Sequence, residues 1–423
     1  KKGVYFMPFE EKILNTNIEK SKRLGAFIRY HREEEKMSLS FMANTVKISK
    51  AYLSEIEHGK KTPQPYTLQQ ILKVLEIKFY PEMDLFYQSE NLLKQLFENY
   101  SNLNEQEEIR CFDILNENSY FEYSYGFLQY YLMKFMYELR FHHNQTKINH
   151  YRKCIEKYIN LLNEDEQSIF YDLCGQENIR KENYLEAAML LNKSLACQSS
   201  ITEPMVHYHL CAIHQYLNKA AIALSHCFKA QELFNKQFAF ERMLYLAIYE
   251  ANCYSGLRSY DKAEELYLFV LQKTNLTSLK HIQITIYNNL SWNALKQENY
   301  KKCVTYVKQA IQLSSKFIDI FIYLPISYYY LSDFDMCKAS IEKYQSTYTD
   351  TNYHKYVLEA LTFMMNHDFI QALNSLKKSL SLCKEYEMRI VILKQICFVL
   401  NKLKAYPELC EYQDMLLHAY EGY

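Results

Sequence analysis

One pattern recurs along more than half of the chain. It is visible in "ENYLEAAMLLNKSL", "RSYDKAEELYLFVL", "ENYKKCVTYVKQAI", "SDFDMCKASIEKYQ" and "HDFIQALNSLKKSL": an aromatic, a small residue three positions on, and a larger apolar residue four further. The aromatic or its substitute falls at Tyr184, Ala220, Tyr260, Tyr300, Phe334, Phe369 and Tyr406, with gaps between 34 and 40 residues. Small and apolar residues spaced three and four apart lie on one helix face. A matching first helix precedes several of these segments, as in "YEANCYSGLRS" and "IYNNLSWNALKQ". A unit of two helices cannot bury its own apolar face, so units repeating at this period must stack.

Punctuation agrees with helices. Seven glycines and seven prolines in 423 residues leave too few turn-formers for a many-stranded fold. The expected class is therefore all-α. The length also exceeds one ordinary core, so more than one domain is expected. The 12 cysteines form no Cys-x-x-Cys pair and sit inside helical patterns, as reduced thiols would; Cys303 and Cys337 take the small position of the repeat. His207, Cys211 and His214 share one helix face but coincide with packing positions and lack an obvious fourth ligand, so no metal or cofactor is expected. No phosphate loop, nucleophile elbow or zinc-protease motif occurs, and nothing argues for an enzyme. No secretory leader is evident, and the apolar run at 320–331 carries Pro325 and is too short to span a bilayer. A cytoplasmic protein without a membrane partner is the expectation.

The first 80 residues differ from the rest. Net charge over the whole chain is zero, yet residues 1–61 hold 13 Lys and Arg against 8 Asp and Glu. Four amphipathic segments run from about Ser21 to Leu75. Ser38 and Ser49 are placed as N-caps of the second and third. The third, Lys50 to Glu57, turns Leu53 and Ile56 inward and Lys50, Ala51, Ser54 and Glu55 outward. Gly59 follows as the left-handed cap that a residue with a Cβ resists. Two helices joined by a short turn, the second short and lined by small residues, have helix-turn-helix geometry.

This stretch, about 20–78, resembles the Xre/Cro-type helix-turn-helix family, in which a serine-capped recognition helix ends in an acidic residue, a variable residue, Gly and a basic residue; here Glu57, His58, Gly59 and Lys60. Arg29 fits the basic position of that family's first helix. The resemblance implies DNA contacts from Ser38, Ser49, Lys50, Ala51, Tyr52, Ser54, Glu55, Lys60 and Lys61. Lys50 could donate to guanine, Ala51 touch a thymine methyl and Glu55 accept from cytosine N4, with Lys60 and Lys61 on phosphates. Lys47 departs from the pattern, standing where the family commonly has the turn glycine.

The repeats resemble tetratricopeptide repeats, which implies a right-handed superhelix with its first helices lining a groove. In that frame His209, Tyr249, Asn252, Asn289, Trp292, Tyr323 and Tyr329 face the groove, and asparagine, with donor and acceptor at one end, suits a peptide backbone. A reading head followed by such a superhelix resembles the RRNPP family of peptide-pheromone receptors of Gram-positive bacteria. The implied division is a DNA-binding domain at 18–80, a linker helix at 81–100 and a peptide-binding and dimerisation domain at 101–423. The implied function is a homodimeric transcription regulator that binds an operator in double-stranded DNA and is switched by a short signalling peptide. The alternative is a regulator whose repeats dock a protein partner.

Overall fold

The computed structural model describes residues 18–274, 279–313, 322–345 and 352–421. Among them every extended element is a helix apart from three short 3₁₀ or π turns, and one isolated bridge pairs Tyr80 with Ser124. The chain forms two compact units: residues up to 213 with 228–242, and residues 214–227 with 243 onward.

In the first unit, α1 (Ile18–Glu34), α2 (Leu39–Val46), α3 (Lys50–Glu57) and α4 (Pro65–Val74) form the head. Its core is Leu24, Phe27, Ile28, Met42, Leu53, Ile56, Leu68 and Ile71, each at most 1% exposed. These are the inward positions of four short amphipathic helices. Next come α5 (Met83–Ser101), α6 (Glu105–Glu117), α7 (Phe127–Tyr137), α8 (Gln145–Lys157), α9 (Glu164–Arg180) and α10 (Tyr184–Ala196). Asn163 and Glu166 form a reciprocal capping box at the start of α9, which closes the donors of its first turn.

α11 (Glu203–Tyr216), α12 (Ala220–Lys236) and α13 (Phe240–Gly256) contribute residues to both units. The second unit continues with α14 (Tyr260–Thr274), α15 (Lys280–Lys296), α16 (Tyr300–Leu313), α17 (Tyr323–Tyr330), α18 (Phe334–Tyr344), α19 (Tyr353–Met365), α20 (Phe369–Leu382), α21 (Tyr386–Leu403) and α22 (Tyr406–Glu421). The second helix of each pair begins at the aromatic position read from the repeat: Tyr184, Ala220, Tyr260, Tyr300, Phe334, Phe369 and Tyr406. The small residues Ala187, Ala223, Ala263, Cys303, Cys337 and Ala372 are fully buried where the paired helices meet. Burial pushes the Cys303 and Cys337 thiols up to about 12, so they act as small hydrophobes rather than nucleophiles.

The turns inside the pairs share one further feature. Two residues before each of those seven helix starts the backbone is left-handed, at Glu182, Asn218, Arg258, Glu298, Ser332, His367 and Lys404, with φ between 54° and 61°. Glycine and asparagine enter that region most readily, and only Asn218 among the seven is either.

Candidate nucleic-acid interface and ligand groove

The head answers why its glycines stand where they do. A Cβ on Gly25 would lie 2.2 Å from the Ile56 carbonyl oxygen, so α1 and α3 approach closely only because that atom is absent. Gly59, with φ +66°, sits against α1, where a Cβ would come 2.4 Å from the Lys22 Cα. α3 is held from beneath by an ion pair as well. Arg32 donates to both carboxylate oxygens of Glu57, at 2.6 and 2.8 Å, and to the Met37 carbonyl at 2.7 Å. Both side chains are buried. Arg32, rather than Arg29, therefore supplies the basic partner of α1; Arg29 pairs with its neighbour Glu33 on the helix surface.

Ser38 and Ser49 accept from the Phe41 and Tyr52 amides at 3.1 Å, capping α2 and α3. Ser38, Ser49, Lys50, Ala51, Lys60 and Lys61 are exposed, and Tyr52, Ser54 and Glu55 are half-buried. Glu55 is already engaged, since Lys61 Nζ lies 2.8 Å from its carboxylate. An acceptor role for Glu55 toward cytosine thus requires that surface pair to open, a modest demand for an exposed pair. Lys47 adopts φ 61°, ψ 43°, so the turn keeps the conformation glycine would take and bears the strain. Lys47→Gly is expected to raise the stability of the head by about 0.5–1 kcal/mol, read as a higher urea midpoint at unchanged slope.

Behind α3, α1 packs its far side on the rest of the first unit. Arg23 donates to the Leu161 carbonyl at 2.7 Å and lies 4.4 Å over the Phe86 ring. Phe27 meets Phe79 and Phe127, and the Tyr30 hydroxyl lies 3.2 Å from His150 Nε2. His31 is enclosed by Phe27 and a stacked Tyr123, its Nε2 buried without a hydrogen-bond partner. Burial lowers its pKa from 6.5 to about 4. A histidine depressed in the folded state is neutral in both states above pH 6.5; below it the unfolded chain takes up a proton that the folded chain refuses. Stability is thus lost as pH falls from 6.5 toward 4, by up to roughly 3 kcal/mol. His31→Phe should flatten the pH dependence of the urea midpoint in that window relative to the parent.

In the second unit two of the residues expected to face a groove, Asn252 and Asn289, belong to a ladder of amides. Asn289 Nδ2 donates to Asn252 Oδ1 at 2.9 Å, Asn252 Nδ2 donates to Gln215 Oε1 at 3.1 Å, and the Tyr267 hydroxyl donates to Asn252 Oδ1 at 2.6 Å. Gln215, Asn252 and Asn289 lie 37 residues apart on the consecutive first helices α11, α13 and α15. Gln215, which the sequence reading passed over, donates in turn to the Tyr249 carbonyl at 3.0 Å. Further along, Trp292 lies 5.4 Å from the Tyr323 ring and donates to Glu387 Oε2 at 2.5 Å, and Tyr329 packs near Phe334 and Phe398. His209 is not among them. It is buried in the first unit, 2.9 Å from Asp172 Oδ1 and 3.4 Å from the Tyr100 hydroxyl, and it serves that interior network. Its place in the repeat matches a groove position, but the short side chain of Asp172 on α9 draws it inward.

A helix-turn-helix family profile matches residues 28–80. Among solved structures the chain is similar to the apo form of the quorum sensor NprR from B. thuringiensis, with 13% identity, a TM-score of 0.65, and 79% of this chain and 99% of that one covered. The chain therefore shares the fold of that quorum sensor. The apo form of RapI gives 13% identity and a TM-score of 0.62 over 79% of this chain and 98% of that one. NprR in complex with its cognate peptide NprX gives 14% identity and 0.58 over 78% and 99%. At these identities the likeness is one of fold. No curated protein matches the chain. Among the described residues no helix is long and apolar enough to cross a membrane.

Proposed function

We propose that this chain is a cytoplasmic transcription regulator that binds operator DNA as a homodimer through α3 and is switched by a short signalling peptide lying along the amide ladder. The observation that carries the reading is α3 itself: both ends are fixed, by the Ser49 cap and by the Arg32–Glu57 pair, while Lys50 and Ala51 stand exposed beside Lys60 and Lys61. A short, anchored helix with an exposed polar edge is what major-groove reading requires. The peptide half is supported by Gln215, Asn252 and Asn289, whose amides could exchange their mutual bonds for main-chain bonds of a ligand. Support also comes from the solved complex of NprR with its peptide NprX, a protein of the same fold. α1 packs on α3 with one face and on α5, α7 and α8 with the other. It is thus the element through which a change in the body could reach the DNA.

Selection of bound sequences from random duplexes, followed by titration, tests the DNA half. Lys60→Ala should weaken all sequences alike and lower the salt slope by about 1, whereas replacing Lys50 should relax preference at one base pair. Recovery of no preferred sequence would remove the operator claim. For the peptide half, Asn252→Ala and Asn289→Ala should weaken any peptide that alters DNA binding; unchanged affinity would remove the ladder from the site.

The second reading, a docked protein partner, is favoured by Leu185 and Met189. They lie one turn apart on α10 and are 70% and 59% exposed. Under that reading Leu185→Glu changes regulation in cells while the ladder variants do not.

A further inference from the structure

α21 belongs to a helix pair three pairs beyond α15 in the chain, yet the two helices touch. Glu387 accepts from Trp292 Nε1 at 2.5 Å and from Lys296 Nζ at 3.0 Å, and Lys394 Nζ donates to Glu298 at 2.7 Å. Lys296, Glu387, Lys394 and Glu298 all line one cavity of about 310 Å³, close to the ladder because Lys296 lies two turns beyond Asn289 on α15. A volume at the small end of ligand pockets accommodates one or two residues of a peptide, not a whole one.

Three features of the lining describe an occupant. The first is Gln395, which is 1% exposed with neither its Oε1 nor its Nε2 hydrogen-bonded. An amide desolvated at both ends is costly and uncommon in a folded interior, and a ligand offering one donor and one acceptor would relieve it. The second is an apolar wall: Tyr300 and Tyr330 stack at 4.9 Å, Phe398 lies 5.8 Å from Tyr330, and Ile326 and Val391 complete it. The third is Arg258. Its guanidinium lies 4.2 Å over the Tyr420 ring and donates to the Tyr420 carbonyl at 3.4 Å, with no carboxylate partner among the described residues. Lys296 and Lys394 already have their carboxylates, so Arg258 is the cation left to meet an anion.

We propose that this cavity takes the carboxyl-terminal residue of the bound peptide: a bulky apolar side chain against Tyr300, Tyr330 and Phe398, the last peptide amide on Gln395, and the terminal carboxylate on Arg258. The assignment rests on the peptide-sensing reading above and gives the ligand a chemistry and a direction. Its end lies under α21 and its preceding residues run along the Asn289–Asn252–Gln215 ladder. The ties of Glu387 and Lys394 hold α21 against α15, so closing over the ligand's end would need no contact the chain lacks.

The test uses the full chain and two synthetic heptapeptide libraries, one with free carboxyl termini and one amidated. Retained peptides are identified by mass spectrometry and titrated by the fluorescence of Trp292, the only tryptophan in the chain. Retained peptides are expected to end in a bulky apolar residue, and amidation should weaken them at least tenfold. Gln395→Leu should weaken binding at least tenfold while raising the Tm of the free protein, a combination that a merely structural glutamine would not give. Arg258→Gln should weaken free-acid peptides and leave amidated ones unchanged. Retained peptides without preference at the last position overturn the cavity assignment, as do variants that bind within twofold of the parent. If those peptides still depend on Asn289, the sensing reading survives that failure. If the parent retains no peptide from either library, both fall.

Discussion

Arg32→Ala is expected to unfold the head and abolish DNA binding while leaving the rest of the chain helical. The substitution removes the side chain that bonds both oxygens of Glu57, a carboxylate that is 5% exposed and lies at the end of α3. Breaking one side of a buried ion pair leaves an uncompensated charge and costs about 3–5 kcal/mol, of the same order as the whole stability of a head this small. The loss should appear as a separate early transition in urea, with a drop in far-ultraviolet ellipticity matching four short helices. The double variant Arg32→Met, Glu57→Leu removes the stranded charge and should recover most of that stability. Recovery would show that the pair orients α3 more than it stabilises it. A single variant as stable as the parent would mean that Glu57 finds water, and that α3 is held by Leu53 and Ile56 alone.

Gly59→Ala is expected to have nearly as large an effect by another route. The left-handed backbone at this position costs an L-residue about 1–2 kcal/mol. The added methyl meets the Lys22 backbone, not a flexible side chain, and cannot be accommodated by a rotamer change. Overpacking of that kind adds about 1–3 kcal/mol. A total of about 2–5 kcal/mol would lower the midpoint of the head transition and shift the Lys60–Lys61 turn away from α1. Titration against a preferred duplex should then show weaker binding before the head unfolds. If affinity is unchanged in the folded variant, the two lysines do not contact phosphate.

Much of this was legible because periodicity fixes where helices begin. The aromatic of the repeat opens its second helix in six cases and Ala220 does so in the seventh, and the serines that cap α2 and α3 follow from the need to satisfy first-turn amides. Three features were not legible, each for its own reason. Arg29 and Arg32 both fit a basic position on α1, and only the packing of α3 decides which of them turns inward. His209 has the right position for the groove, but its direction is set by Asp172, far away in sequence. The contact between α21 and α15 depends on small rotations accumulated over three helix pairs, which no local pattern records. Gln215 could have been found: its distance to Asn252 equals that from Asn252 to Asn289, and all three carry amides.

The corners of the helix pairs bear on how such a chain could change. Gly in place of Glu182 or Lys404 would relax the backbone and remove only a side chain at a bend. At residues 258 and 298 the same relief would take away the guanidinium proposed to meet the ligand and the carboxylate that steadies Lys394. Under the proposed recognition, drift toward a sturdier protein is free at some bends and opposed at others, so that some left-handed corners would be kept for the side chains they carry.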